Sequence, residues 1–169
     1  MLAAAAFAAH KHRDQRRKDA DASPYINHPI ALADTLANEA GWHDPITLAA
    51  ALLHDTIEDT DTSMPELIAA FGQQIAQIVA EVSDDPALSK ADRKRLQIEH
   101  AAGLSHHAKL VKLADKICNL RDMSDSPPAN WPLARRREYF DWARNVVDGM
   151  RGCNAALETL FDAEFARRP

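Results

Sequence analysis

The chain has 169 residues, 46% of them apolar and 27% charged, which fits one ordinary folded domain and excludes disorder as the main state. A formal net charge of −5 excludes a broad nucleic-acid-binding surface, so any anion site must be a local basic patch. Two cysteines, Cys118 and Cys153, make no metal-type pair and point to a reduced, cytoplasmic setting.

Only 5 glycines, with abundant Ala, Leu, Ile, Lys, Arg and Glu, favour helix. The opening Met1-Leu2-Ala3-Ala4-Ala5-Ala6-Phe7 resembles a signal core but lacks a positive start and runs into His10-Lys11-His12-Arg13, so it predicts a mature helix over 2–13. A polar loop with the basic cluster Arg16-Arg17-Lys18 follows. Pro29 suits a first helical position, and Gly41 a stop. Asp44-Pro45 opens the next helix as N-cap and first residue. Ser63-Met64-Pro65-Glu66 and Ser89-Lys90-Ala91-Asp92 are Ser-x-x-acid helix starts. Between them a helix is expected over about 73–83, and beyond them over about 105–122, from Pro132 to about Gly152, and at the C-terminus. No run alternates as a strand does, and none approaches the roughly 18 apolar residues of a membrane span. The expected architecture is all-α, with about eight helices in a single domain over 1–169.

The segment after Pro45 carries the functional signal. Ile46, Leu48, Leu52, Leu53 and Ile57, with three alanines, cover the whole circumference of a helix, which should therefore be buried. Yet that helix continues as His54-Asp55-Thr56-Ile57-Glu58-Asp59. Unpaired buried carboxylates are costly, and acids at a helix C-terminus are disfavoured by the macrodipole. A divalent cation is an economical answer, because it takes imidazole nitrogen and carboxylate oxygen together. Against it stands the plain reading in which His54 caps the helix and the acids face solvent. His28, just before a helix start, is by itself a capping or hydrogen-bonded histidine as readily as a ligand. Asp115 flanks the apolar stripe of Leu110, Leu113, Ala114 and Ile117, where a pairing with a neighbouring lysine competes with ligation. Asn119 lies one turn on, on the same side. The remaining histidines show no comparable setting.

An isolated His, then His-Asp, then a distant Asp, all on helices, resembles the HD-domain metal phosphohydrolases. The segments Gln15-Arg16-Arg17-Lys18-Asp19, Pro24-Tyr25-Ile26-Asn27-His28-Pro29, Leu53-His54-Asp55-Thr56-Ile57-Glu58-Asp59, Glu81-Val82-Ser83-Asp84-Asp85, Lys112-Leu113-Ala114-Asp115-Lys116 and Glu138-Tyr139-Phe140-Asp141-Trp142 narrow it. They are similar to the hydrolase domain of the RelA/SpoT homologues, and most of all to the stand-alone small alarmone hydrolases, the group that includes the metazoan SpoT homologue. Ser83 stands where that family often has Thr, with the hydroxyl retained. The resemblance implies one Mn²⁺ per chain held by His28, His54, Asp55 and Asp115, a catalytic pair Glu58 and Asp59, and substrate contacts from Arg17, Lys18 and Asn119. It also implies hydrolysis of the 3′-pyrophosphate of guanosine tetra- or pentaphosphate. From net charge, the missing aromatic-basic interleaving and the lack of a long apolar stretch, no nucleic-acid or membrane partner is expected.

Removal of the 2′-phosphate of NADPH, or attack on another nucleotide, would use the same site. A dead HD scaffold would have lost a ligand or the acidic pair, and all six residues are present. The groups Lys90, Arg93, Lys94, Arg95 and Arg135, Arg136, Arg137 read first as solvated faces. Tyr25, Tyr139 and the three tryptophans read as packing residues, and Cys118 as a small core residue. Oligomeric state is not legible.

Overall fold

The computed structural model describes all residues, 1–169, and is all-helical, with no strand beyond an isolated bridge between Arg16 and Pro24. Its helices are α1 (Leu2–Lys11), α2 (Asn27–Asp34), α3 (Pro45–Leu53), α4 (Thr56–Asp59), α5 (Met64–Phe71), α6 (Gln73–Val82), α7 (Lys90–His100), α8 (His106–Asp125), α9 (Leu133–Asp148) and α10 (Ala155–Phe165). A π-helical turn (Thr35–Glu39) extends α2, and a short 3₁₀ turn (Ala101–Gly103) follows α7.

The helix starts follow from side-chain chemistry. The Asp44 carboxylate accepts the Thr47 N–H at 2.8 Å, with Pro45 at the first helical position. Ser89 accepts the Asp92 N–H at 3.1 Å and donates to its carboxylate at 2.7 Å. Ser63 caps α5, but Glu66 does not close the reciprocal box; it reaches across to Lys11 instead, with Nζ at 3.1 Å. Gly72, at φ +86°, turns α5 into α6, a backbone conformation other residues adopt only with strain.

Two expectations are corrected. Pro29 is the third residue of α2 rather than the first, because Asn27 and His28 are already helical. The segment from Pro45 to Asp59 is two helices, not one: α3 ends at Leu53, and His54 and Asp55 form the break before α4. The Thr56 hydroxyl donates to the Leu53 carbonyl at 2.7 Å across that break.

Helices α3 and α8 are the core. Every α3 residue from Thr47 to Leu53 is buried, as the all-round apolar pattern demands. α3 packs against α1, α2, α6 and α8, and α8 packs in turn against α2, α6, α9 and α10. Ala4 and Ala8 let α1 lie close on α3, where truncating a buried leucine such as Leu53 costs about 2–5 kcal/mol. The C-terminal end of α3, the middle of α8 and the start of α2 are thereby held together. α7 differs from all of these: none of its residues is buried, and it rests on α9 and the 3₁₀ turn. No helix is long and apolar enough to cross a membrane.

Candidate metal centre and active site

His28 from α2, His54 from the end of α3 and Asp115 from α8 each present a ligand atom within 4.8 Å of the others. His28 Nε2 lies 3.2 Å from Asp115 Oδ1. His54 Nε2 lies 3.9 Å from the same oxygen and 2.9 Å from Asp55 Oδ2. His54 Nδ1 is 2.9 Å from the Ala51 carbonyl, which only accepts, so Nδ1 carries the hydrogen and a neutral ring points its bare Nε2 at two carboxylates. That nitrogen is buried and makes no well-formed hydrogen bond. Burial works against charging His54, yet Asp55 and Asp115 pull its pKa up to about 9. The field at this point therefore favours a cation, and the donor set of two imidazoles and a carboxylate fits a divalent metal.

Asp115 is held from several sides. Oδ1 accepts from Asn119 Nδ2 at 2.6 Å, and Oδ2 from Lys116 Nζ at 3.0 Å. Ligation and lysine pairing, alternatives in the sequence, are thus compatible on opposite oxygens. Burial raises the Asp115 carboxyl, but Lys116 and His28 hold it well below the usual range. Asp55 flanks the trio without sharing its close spacing, and its Oδ2 also accepts from the Tyr25 hydroxyl.

Glu58 and Asp59 project from α4 beside this point. Glu58 Oε2 accepts the Asp84 N–H at 2.9 Å and Oε1 accepts from Arg93 at 3.3 Å. Burial, opposed by the Asp84 N–H, lifts the Glu58 carboxyl above the ordinary range, and the charges of Asp84, Asp55 and Asp59 push the same way. Asp59 is exposed at the cleft mouth, where Gln15 Nε2 donates to its Oδ2 at 2.9 Å. The expectation of three buried acids is therefore corrected for Asp59. The Ser83 hydroxyl donates to the Val79 carbonyl at 2.8 Å at the end of α6, a bond that does not need the methyl group a threonine would add.

These residues floor an inner cavity of about 320 Å³, which opens into an outer cavity of about 530 Å³. Arg17, Lys18, Tyr25, Asn119 and Tyr139 line both, a combined space of the size nucleotide sites need. Arg17 is stacked over Tyr25 at 5.5 Å and paired with Asp122, whereas Lys18 is exposed. Tyr25 and Trp131 are cleft residues rather than only packing. Of the other basic groups, Arg95 pairs with Asp92 and Glu99 on the surface, and Arg136 and Arg137 bind main-chain carbonyls. Lys94 lies over Trp142 at 4.9 Å and Arg135 over Trp131 at 4.0 Å, beside a smaller cavity of about 180 Å³.

Sequence reasoning gave no role to Gln15, to Tyr25 as a carboxylate partner, to Lys112 or to Lys116, and it read Arg93 as part of a solvated face. The two lysines did carry a signal: they lie one turn apart inside the apolar stripe of α8, and both are buried. Gln15 and Arg93 carried none, since their partners are 44 and 35 residues away.

A family model described as HD domain matches residues 4–141. The chain belongs to the HD-domain family. It is 53% identical to guanosine-3′,5′-bis(diphosphate) 3′-pyrophosphohydrolase MESH1 of Mus musculus, over 99% of this chain and 94% of that protein. The protein of the same name from Drosophila melanogaster is 51% identical, over 96% of this chain and 90% of that one. The solved structure of a metazoan ortholog of SpoT, described as hydrolyzing ppGpp and playing a role in starvation responses, matches with a TM-score of 0.96 and 49% identity, covering 99% of this chain and 94% of that one. The resemblance to the SpoT homologues read from the motifs is thus shown. An HD-domain hydrolase implies a divalent metal, and His28, His54 and Asp115 could hold it here.

Proposed function

We propose that this chain is a metal-dependent 3′-pyrophosphohydrolase of guanosine tetra- and pentaphosphate, releasing GDP or GTP and pyrophosphate, built as a single HD-type domain over 1–169 and working in the cytoplasm. Likeness along the whole chain to proteins named for that activity carries the substrate assignment. The continuous core, which draws on eight of the ten helices, supports the single domain. We take Mn²⁺ as the metal, one per chain, with Asp55 joining His28, His54 and Asp115 as ligands. A divalent ion so held would polarise a phosphoryl oxygen and acidify a bound water.

The protein's own groups do the rest. Glu58, its pKa raised by burial, is suited to take a proton from the attacking water and to give one to the departing ribose 3′-oxygen. The bond that breaks joins that oxygen to phosphorus, and the water oxygen takes its place. Asp59 orients the water at the mouth. Arg17 and Asn119 bridge the α1–α2 loop and α8 where the two cavities meet, with Arg17 Nη2 3.5 Å from Asn119 Oδ1, and so are placed to seat the nucleotide. Lys18 faces both cavities and offers a point charge to phosphate.

In oxygen-18 water the label is expected in pyrophosphate and not in the nucleoside product. Orthophosphate as the primary product would overturn the assignment, as would turnover of NADPH or simple nucleotides with none of guanosine tetraphosphate. Lys18→Ala is expected to raise KM more than it lowers kcat, because a contact made equally in the ground and transition states is uniform binding. Steady-state kinetics check this, and a collapse of kcat at constant KM would place Lys18 in the chemical step.

A further inference from the structure

Asp59 stands on a helix of only four residues and is exposed, yet a positioned carboxylate must be held still. Its carboxylate takes one side-chain hydrogen bond, from Gln15 Nε2 at 2.9 Å. Gln15 is itself fixed. Its N–H donates to the His12 carbonyl at 2.9 Å, and its own carbonyl accepts the Tyr25 N–H at 3.1 Å. Its Oε1 lies 2.6 Å from His12 Nδ1. His12 is 2% exposed, its ring centroid 4.8 Å from that of Tyr25.

The direction of each bond follows from chemistry. A carboxylate only accepts, so the Gln15 amide must turn its NH₂ toward Asp59 and its oxygen toward His12. His12 must then carry its hydrogen on Nδ1. Its Nε2 is buried with no partner, which leaves a second ring hydrogen unsatisfied there. A buried histidine thus decides which way an otherwise reversible amide faces.

We propose that Gln15 is a positioning residue for Asp59 and that His12, as the Nδ1–H tautomer, sets the orientation of its amide. The inference rests on the reading of Asp59 as a member of the catalytic pair. It places the origin of that positioning at the end of α1, outside the cleft floor.

The test compares wild type, Q15E, D59A and Q15E/D59A with guanosine tetraphosphate and Mn²⁺, together with their melting temperatures. Glutamate at 15 still accepts from His12 but no longer donates to Asp59. Q15E is expected to lower kcat on the order of 10–100-fold, with KM within about threefold and an unchanged melting temperature. In the D59A background the same change should cost nothing more. Q15M, similar in volume and without the amide, should match the kcat loss and so separate lost donation from added charge. Wild-type kcat in Q15E while D59A is impaired would overturn the inference and leave the reading of Asp59 intact. Wild-type activity in D59A would overturn the reading of Asp59 and the inference with it. An equal Q15E penalty in both backgrounds would show that Gln15 acts elsewhere. Ring nitrogen-15 shifts of His12 provide an independent check: a hydrogen on Nε2 would refute the amide orientation.

Discussion

Glu58→Gln is expected to lower kcat by about 10²–10⁴ while bound metal stays near the wild-type stoichiometry. Glutamine keeps the shape of the side chain and can still accept the Asp84 N–H, at 2.9 Å in the native protein. It removes the negative charge that faces Arg93 and the basicity that burial has raised. Since Glu58 is not among the residues that meet at the metal centre, the loss should be chemical, roughly 3–5 kcal/mol of barrier, with little change in KM. The raised pKa also fixes a sign. In wild type the acid limb of kcat should lie above the ordinary carboxylate range, with activity rising as pH increases through it, and Glu58→Gln should flatten that limb. Metal analysis and kinetics on the same preparation decide the matter. Loss of metal together with activity would make Glu58 a ligand.

Asp55→Ala is expected to lose metal and activity together. Asp55 Oδ2 sits 2.9 Å from the bare Nε2 of His54 and accepts from the Tyr25 hydroxyl, so its removal takes away a carboxylate and the partner of a half-buried phenol. Substitutions one shell further from a metal cost about 10–100-fold in affinity, so loss of a direct ligand should exceed about 10²-fold. Free Mn²⁺ at about a hundred times its Kd stabilises a folded protein by about 2.7 kcal/mol, which raises the melting temperature. Wild type should show that rise and Asp55→Ala should not. Should the variant keep a full complement of metal, Asp55 is no ligand, and His28, His54 and Asp115 hold the ion without it.

The fold was legible wherever a local rule acts alone. Asp44-Pro45 starts a helix by capping, and the apolar circumference of α3 can only be buried, as it is. The break at His54-Asp55 was not legible, because the sequence runs on in helix-compatible residues and the interruption comes from tertiary placement of the two side chains. In the site, His54 and its following acids stood out against an apolar helix, whereas His28 and Asp115 were ambiguous by themselves and were picked out by the resemblance. Asp59 misled, because an acid at a cavity mouth and an acid in a cavity floor look the same in one dimension. Arg135 over Trp131, with its neighbours Arg136 and Arg137 bound to main-chain oxygens instead, shows the same limit for charge runs: members of one run face different ways, and only packing shows which remain free.

The shallow seating of α7 has a thermodynamic consequence. Native-state opening free energies rise with buried apolar contact, so α7, with no buried residue, is expected to be less protected from hydrogen exchange than α8, whose inward face is buried. Arg93, which reaches Glu58, and Lys90 and Lys94, which line the adjoining cavity, all ride on that weakly protected helix. A polyanion bridging those cations to the α8 side of the cleft would supply the order that the hydrophobic core does not. Substrate occupancy and the local stability of α7 are then one linked equilibrium, in which each raises the other.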